Sequence, residues 1–595
     1  MKRSNTIAVL PFRQRSSDDT ITFLGEGLAE ELIYALSTID SLNVISRTSS
    51  FRFMEHDTSL STIAEELGAN YILEGQLSVQ GDRIRIRTQL IEAEADTAVW
   101  SGAWDRPMTD LFALQDDISL VIAEQLREQL GHFEIDQHLI EAPTNSIDAY
   151  QLSLKARTRF NTWSPDGVKE AVSLYEQALK IDPEHADAHV GLADAFGFLA
   201  TTEILPRAEA WQKAMEHTDH AYRLSPNHAG VHYQLGQLAF FTRCDYAAAY
   251  AHNQRALKLR PNYPEALQFM AFFEILRHDF DAARSHINHA YTIDPFSNET
   301  LFFDAYRCFC QEDYKGALER IDRCLEQNPQ NIPASFTRTQ CLIQLGQVKE
   351  ALDYVSSLPD AVSVDDEVLG LRAVCHLLLH HEKEATAAIT ELQARNADPG
   401  AFQAHAYLFL VYTLQNAFDL AFSQLQHSLE RHSAVILLYL SNPMSKALRS
   451  DPRYPAIFEK AFAISLPKKV QRSAPLLQPK DAEHFQQALI ARMEDEQDYL
   501  NPSLSLRGLA DVLGLTANQL SWLLNECLEQ NFARFINGYR IEHFKRLAVN
   551  PDNAHISLIG LAYESGFNSK TVFNTTFKKL VGQTPKAYLA ASKGT

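Results

Sequence analysis

The chain has 595 residues and a net charge of −21, with 54 Lys and Arg set against 75 Asp and Glu. That length carries roughly three to five domains, and the acidic balance taken alone opposes a nucleic-acid partner. The longest apolar run, Ala434 to Leu440, is far too short to span a bilayer. The opening MKRSNTIAVLPFRQR holds an apolar run only from Ile7 to Phe12 before charge returns, which does not fit a signal peptide. Seven cysteines, an odd number with no CxxC pair, read as reduced core residues of a cytosolic protein. The expectation is a soluble, cytoplasmic protein with no membrane contact.

Residues 5–131 read as α+β. TIAVLPF is a short buried strand, Gly27 to Ile39 a helix with Leu28, Leu32, Ile33 and Leu36 on one face, LNVISRTSS a second strand and STIAEELGA a second helix. From Asn70 to Arg106 apolar and polar residues alternate around a Gly81-Asp82 turn, the pattern of antiparallel strands. LFALQDDISLVIAEQLREQL closes the unit as a helix. Gly25-Glu26-Gly27 is expected to be a structural turn, because Glu26, Glu30 and Glu31 would repel any anion held there. Asp116-Asp117 reads as a solvated first turn, since adjacent helical residues do not face one site, and Arg47 as a loop residue. The segments IAVLPF, FLGEGLAEELIYALS, VISRTSSF, IAEELGANYILEGQL and WDRPMTDLFALQDDIS resemble the TolB-like domain that precedes helical repeats in many bacterial signalling proteins, some of them nucleotide cyclases. On that resemblance residues 1–131 form the first domain.

Residues 146–440 carry the clearest period. Pro183, Pro226, Pro261, Pro295 and Pro329 are 43, 35, 34 and 34 apart, and Ala178, Ala221, Ala256, Ala290 and Cys324 stand five residues before them. Small residues where two helices approach, with proline ending each unit, make a tetratricopeptide pattern, and ALKIDPEHADAH and ALKLRPNYPEAL resemble that family's repeat junction. Six to eight repeats are expected, stacked as a right-handed solenoid whose groove takes a protein or peptide partner. His380-His381 with Glu384 has helical metal spacing but no third ligand, so no metal is expected. Residues 441–480 are assigned to a linker, with proline-punctuated Lys468 to Pro479 as its core.

The last domain, 481–595, reads as a pair of helix-turn-helix motifs. Leu509-Ala510, Gly514 and Thr516 repeat as Leu561-Ala562, Gly566 and Asn568, with the second helix opening at Asn568 or Ser569. Phe532 to Val549 between them forms one amphipathic helix of roughly 27 Å at 1.5 Å per residue. Against the acidic whole, Tyr499 onward holds ten basic and six acidic side chains, and Ser565 onward five lysines and no acid. SLRGLADVLGLTANQLSWLLNE, YRIEHFKRLA and IGLAYESGFNSKTVFNTTFKKLVGQTPKAY resemble the DNA-binding domain of AraC-family transcription regulators. The resemblance implies recognition helices near Thr516 to Glu526 and near Ser569 to Lys579, reading successive major grooves. Trp522, Glu526 and Glu529 depart from a basic pattern in the first helix, and Leu589 stands where a basic residue is usual.

The fold class expected is thus multidomain: an α+β domain, an all-α repeat solenoid and an all-α double helix-turn-helix domain. The function expected is sequence-specific binding of double-stranded DNA, without enzymatic activity, cofactor or metal. Asn518, Gln519, Ser521, Asn525 and a stacking Trp522 would serve the first groove, and Ser569, Lys570, Thr571, Asn574 and Lys578 the second. A protein-interaction scaffold without DNA readout is the alternative. A small-molecule effector of unknown identity and a homodimer stay open.

Overall fold

The computed structural model describes residues 5–14, 19–53, 58–135, 144, 146–160, 165–202, 204–398, 400–464 and 475–592. Contacts divide the chain into two compact units, one of residues 1–142 with 469–595, the other of residues 143–468. The two ends of the chain therefore fold into one body, where the sequence suggested separate domains.

In the first unit, strands β1 (Thr6–Val9), β2 (Arg13–Gln14), β3 (Asn43–Val44), β4 (Tyr71–Gln80), β5 (Arg83–Glu92) and β6 (Thr97–Pro107) form a sheet of order β3-β1-β4-β5-β6, with β2 also on β4. β1 runs parallel to β3 and β4, while β4, β5 and β6 are antiparallel. The alternation in RIRIRT resolves as foreseen: Ile84 and Ile86 are fully buried while Arg83, Arg85 and Arg87 are exposed. Helices α1 (Asp19–Ser37), α2 (Arg47–Phe51), α3 (Leu60–Leu67) and α4 (Leu111–Leu130) complete this part.

Several expectations shift here. α1 opens at Asp19, so Gly25-Glu26-Gly27 lies inside the helix and forms no turn. The second strand is only Asn43–Val44, because Ser46 accepts the Ser49 amide and starts α2. Arg47 is thus helical; it pairs with Glu26 at 3.4 Å and Glu30 at 3.2 Å and stacks on Phe51. Asp116 is buried on the inner side of α4, and only Asp117 is solvated.

The second unit holds, among the described residues, eight helix pairs from Ile147–Phe160 with Pro165–Ile181 to Phe402–Leu414 with Phe418–Glu430. The small residues of the period do what their size requires: Ala178, Ala221, Ala256, Ala290 and Cys324 are all completely buried, where one helix of a pair closes on the next. Five of the seven cysteines are buried, Cys244 is half-buried, and Cys527 is exposed rather than in a core.

Residues 441–464, expected to belong to a linker, are part of this body. Asn442 donates to Gln340 at 2.9 Å, Lys446 pairs with Glu312 at 2.5 Å, and His278 meets the Ser441 carbonyl at 3.0 Å. Tyr439 packs on Tyr407 and Phe462 on Tyr246, with ring centroids 5.0 and 5.2 Å apart. The segment from Ser433 to Phe462 therefore lies along the first helices of successive pairs and the turns that end them. Of the linker itself, residues 465–474 lie outside the described residues.

Candidate nucleic-acid interface

The carboxyl-terminal part of the first unit contains helices α5 (Pro479–Ala491), α6 (Leu506–Leu513), α7 (Ala517–Trp522), α8 (Phe532–Val549), α9 (Leu558–Glu564), α10 (Lys570–Val581) and α11 (Pro585–Ser592). α6 and α7 are the first helix-turn-helix, α9 and α10 the second. α8 joins their two cores: Phe532, Phe535 and Ile536 pack with Leu509, Leu520 and Leu524, while Ile541 and Phe544 pack with Leu561, Phe573 and Phe577. One helix thus fixes both motifs by burying its two halves in different clusters.

Capping chemistry sets each turn. Ser505 accepts the Gly508 amide to start α6, and Ser557 accepts the Gly560 amide to start α9. Gly514 and Gly566 sit at φ +71 and +89, which glycine adopts without steric cost. A Cβ on Gly514 would meet nothing within 4 Å, whereas one on Gly566 would lie 2.4 Å from the Tyr499 carbonyl oxygen. Arg540 ties down that carbonyl at 2.7 Å and the Asn501 carbonyl at 2.8 Å, so the second motif is braced by the chain that precedes the first.

The two turns are not identical. α7 is capped by Thr516, two residues past Gly514, and α10 by Ser569, three residues past Gly566. Counted from their caps, Asn518, Ser521 and Asn525 correspond to Thr571, Asn574 and Lys578. Those last three are exposed, as is Lys570, and Ser569 is half-buried as the cap. α10 therefore presents to solvent the face that the sequence assigned to it. Beside it, a shallow hollow of about 220 Å³ is lined by Lys570, Asn574, Thr584 and Lys586. Lys586, not singled out from sequence, adds a cation there. The closing G-x-T-P-x-x-Y has a local role: Thr584 caps α11 by accepting the Ala587 amide, and Tyr588 packs on Phe577 with centroids 5.7 Å apart.

The first motif is differently placed. Asn518 accepts from the Arg127 guanidinium and from the Ile135 amide at 3.3 Å, and its own amide donates to the Ile135 carbonyl at 3.3 Å. Ser521 is 2% exposed. Asn525 donates to the Ser521 carbonyl at 2.9 Å and lies against Gly131. Gln519 closes a capping box with Thr516, a use that the T-x-x-Q spacing already spells. Trp522 is half-buried against the motif's own core. α7 is short, and the chain continues from Leu523 to Cys527 as a π turn instead of a straight helix to Glu526.

The covering residues belong to the end of α4 and the segment after it. Glu128 accepts the Leu506 amide at the start of α6 at 2.7 Å, and Glu124 pairs with Arg507 at 2.5 Å. Asn531, the cap of α8, donates to the Gln129 carbonyl at 2.8 Å. Burial pushes the Glu128 carboxyl up to about 7 and the Arg127 guanidinium down to about 10. The second motif meets a different part of the N-terminal domain, its sheet: α10 lies beside β6, and Lys579, 3.5 Å from Glu92 at the end of β5, is still largely exposed.

No group of three or more His, Cys, Asp or Glu side chains able to hold a metal occurs among the described residues. No described helix is long and apolar enough to cross a membrane.

Comparisons with known proteins match these parts separately. A helix-turn-helix domain model covers residues 509–591, the model of a HilA/YgeH-like transcriptional regulator, second domain, covers 2–120, and a tetratricopeptide repeat model covers 311–375. A protein named putative adenylate cyclase 3 from Rhizobium meliloti is 32% identical over 188 residues, 32% of this chain and 32% of its own length. An uncharacterized HTH-type transcriptional regulator of Staphylococcus aureus is 34% identical over 90 residues, 15% of this chain and 12% of its own. The chain thus spans about a third of the first relative and about an eighth of the second. Among solved structures, a tetratricopeptide repeat protein from Parabacteroides merdae aligns with 42% of this chain and 93% of its own at 12% identity and a TM-score of 0.30. The chain combines an AraC-type helix-turn-helix domain, a HilA/YgeH-like regulator domain and tetratricopeptide repeats.

Proposed function

We propose that this protein is a sequence-specific transcription regulator that reads duplex DNA through the exposed face of α10. The observation that carries the reading is the solvent-facing set Lys570, Thr571, Asn574 and Lys578, on a rigid helix with Lys586 beside it and no carboxylate from Ser565 onward. Two polar side chains suit base edges, and lysines suit phosphates. The acidic remainder of the chain disfavours non-specific adhesion to DNA, so contact is confined to this face. The match to regulator domains at both ends supports the same reading.

An enzymatic role has little support. The cyclase relative shares only a third of its length with this chain. A protein partner on the repeats is supported by the repeat family. Such a partner would use the surface left outside the Ser433–Phe462 segment, or would displace that segment.

The test is enrichment of a random-sequence duplex library on the full chain. A defined motif should emerge, with affinity falling steeply as salt rises. Lys570→Ala should weaken binding by about 1–3 kcal/mol at the enriched site if it meets a base, and weaken all sequences alike if it meets only phosphate. An unenriched library would sink the reading in favour of a protein-interaction scaffold.

A further inference from the structure

Three positions, two on α7 and one on the π turn that continues it, match the open positions of α10 when counted from the caps, and all three are spent inside the protein. Asn518 is bonded from both sides, by Arg127 and by the backbone of Ile135. Ser521 is buried, and Asn525 abuts Gly131. The contact extends to every helix of the motif: Glu128 and Glu124 at α6, Arg127 and Ile135 at α7, Gln129 at the cap of α8. Phe133, 6% exposed, anchors the strand of chain that carries these groups. A duplex cannot approach Asn518, which already serves as hydrogen-bond partner to a protein segment lying over it, nor a buried Ser521.

We propose that the N-terminal α+β domain is a clamp on the first helix-turn-helix motif: with the end of α4 and residues 131–135 in place, α7 is held off DNA and only the second motif is available. This deepens the DNA-binding reading and rests on it. Opening the clamp would free α7 and convert a one-groove contact into a two-groove contact, raising affinity and lengthening the site. The clamp has the character of a releasable contact rather than a core. It buries one carboxylate and one guanidinium, and Arg127 Nε has no hydrogen-bond partner among the described residues. Burying charge costs free energy that the hydrogen bonds to Asn518 and Leu506 and the attraction between Arg127 and its neighbouring carboxylates offset, so a modest perturbation of those contacts can shift the balance.

The experiment compares the full wild-type chain with a Glu124→Ala/Arg127→Met variant, which removes two clamp contacts and leaves every proposed DNA contact in place. Each is used to enrich a random-sequence duplex library. The wild type should enrich one half-site; the variant should enrich two, about one helical turn apart, and bind on the order of 5–150-fold tighter, the range of an allosteric coupling. In case the variant folds poorly, hydrogen exchange on the wild type alone decides the matter. Adding the enriched duplex should protect α10 amides and leave those of α7 unchanged. One half-site for both chains, two for both, or duplex protection of α7 in the wild type would each overturn the clamp and leave the DNA-binding reading standing. No enrichment by either chain would remove that reading and the clamp with it.

Discussion

The two helix-turn-helix motifs share their apolar skeleton and differ in what covers them. In both, a leucine-alanine pair, a left-handed glycine and two inward residues one turn apart build the motif: Leu520 and Leu524 in one, Phe573 and Phe577 in the other. The outer faces then part company. α10 shows lysines, Thr571 and Asn574 to solvent, while in the first motif Asn518 is bonded to Arg127 and Ile135, Ser521 is buried and Asn525 abuts Gly131. A fold-level repeat therefore does not mean two equal DNA contacts. The polar character of a helix face says that it wants hydrogen bonds, not whether nucleic acid or protein supplies them.

The largest separation of the two motifs should come from their glycines. Gly566→Ala combines a left-handed φ with a Cβ 2.4 Å from a backbone oxygen held by Arg540, and should destabilise the first unit by about 3 kcal/mol or more, read as a lower urea midpoint. Gly514→Ala meets open space at a similar φ and should cost only about 1 kcal/mol. Equal losses at both sites would remove the bracing role given to Tyr499 and Arg540.

Next come the outward faces. Lys570→Ala should lower affinity for the enriched duplex about 5–150-fold, from about 1–3 kcal/mol, whereas Asn518→Ala in the full chain should not weaken DNA binding and should loosen the clamp. Comparable losses in a binding titration would mean that both faces meet DNA at once.

A pH series sharpens the same contrast. Glu128 is pushed up to about 7 by burial, with Glu124, Arg127, Arg507 and Arg540 as the charged groups around it. Its ordinary value, the one it regains when released, is 4.5. The clamped state thus holds the proton more tightly, so the clamp should weaken as pH rises from about 5 towards 7 and level off above that. Glu128→Gln keeps an acceptor for the Leu506 amide and should flatten this dependence, measured as the pH at which the second half-site becomes protected. The smallest effect belongs to Lys579→Ala. Its exposed pair with Glu92 is of a kind worth about 0–1 kcal/mol, and clamp opening followed by exchange of α7 amides should hardly change.

Much of this architecture is legible in the sequence because it rests on local rules. The period of alanines and prolines marks the helix pairs, and their complete burial is what a close helix crossing demands of a small side chain. The turn glycines, the caps and the single helix between the motifs follow from spacing alone. The clamp does not, since Asn518 and Arg127 are 391 positions apart and neither carries a pattern naming the other. For the same reason residues 441–464, punctuated by proline and charge and so read as linker, give no sign that Met444, Leu448, Tyr454 and Phe462 belong to the core of the repeats. Gln519 is different: its partner was three residues away in Thr516, and the capping box could have withdrawn it from the DNA-contact set.

The most direct test is a hydroxyl-radical footprint of the full wild-type chain on a duplex it has enriched. Protection should centre on a single major groove, be lost in Lys570→Ala/Lys578→Ala, and be retained at that groove in Asn518→Ala/Asn525→Ala. Protection of two successive grooves by the wild type, sensitive to both pairs of substitutions, would contradict it.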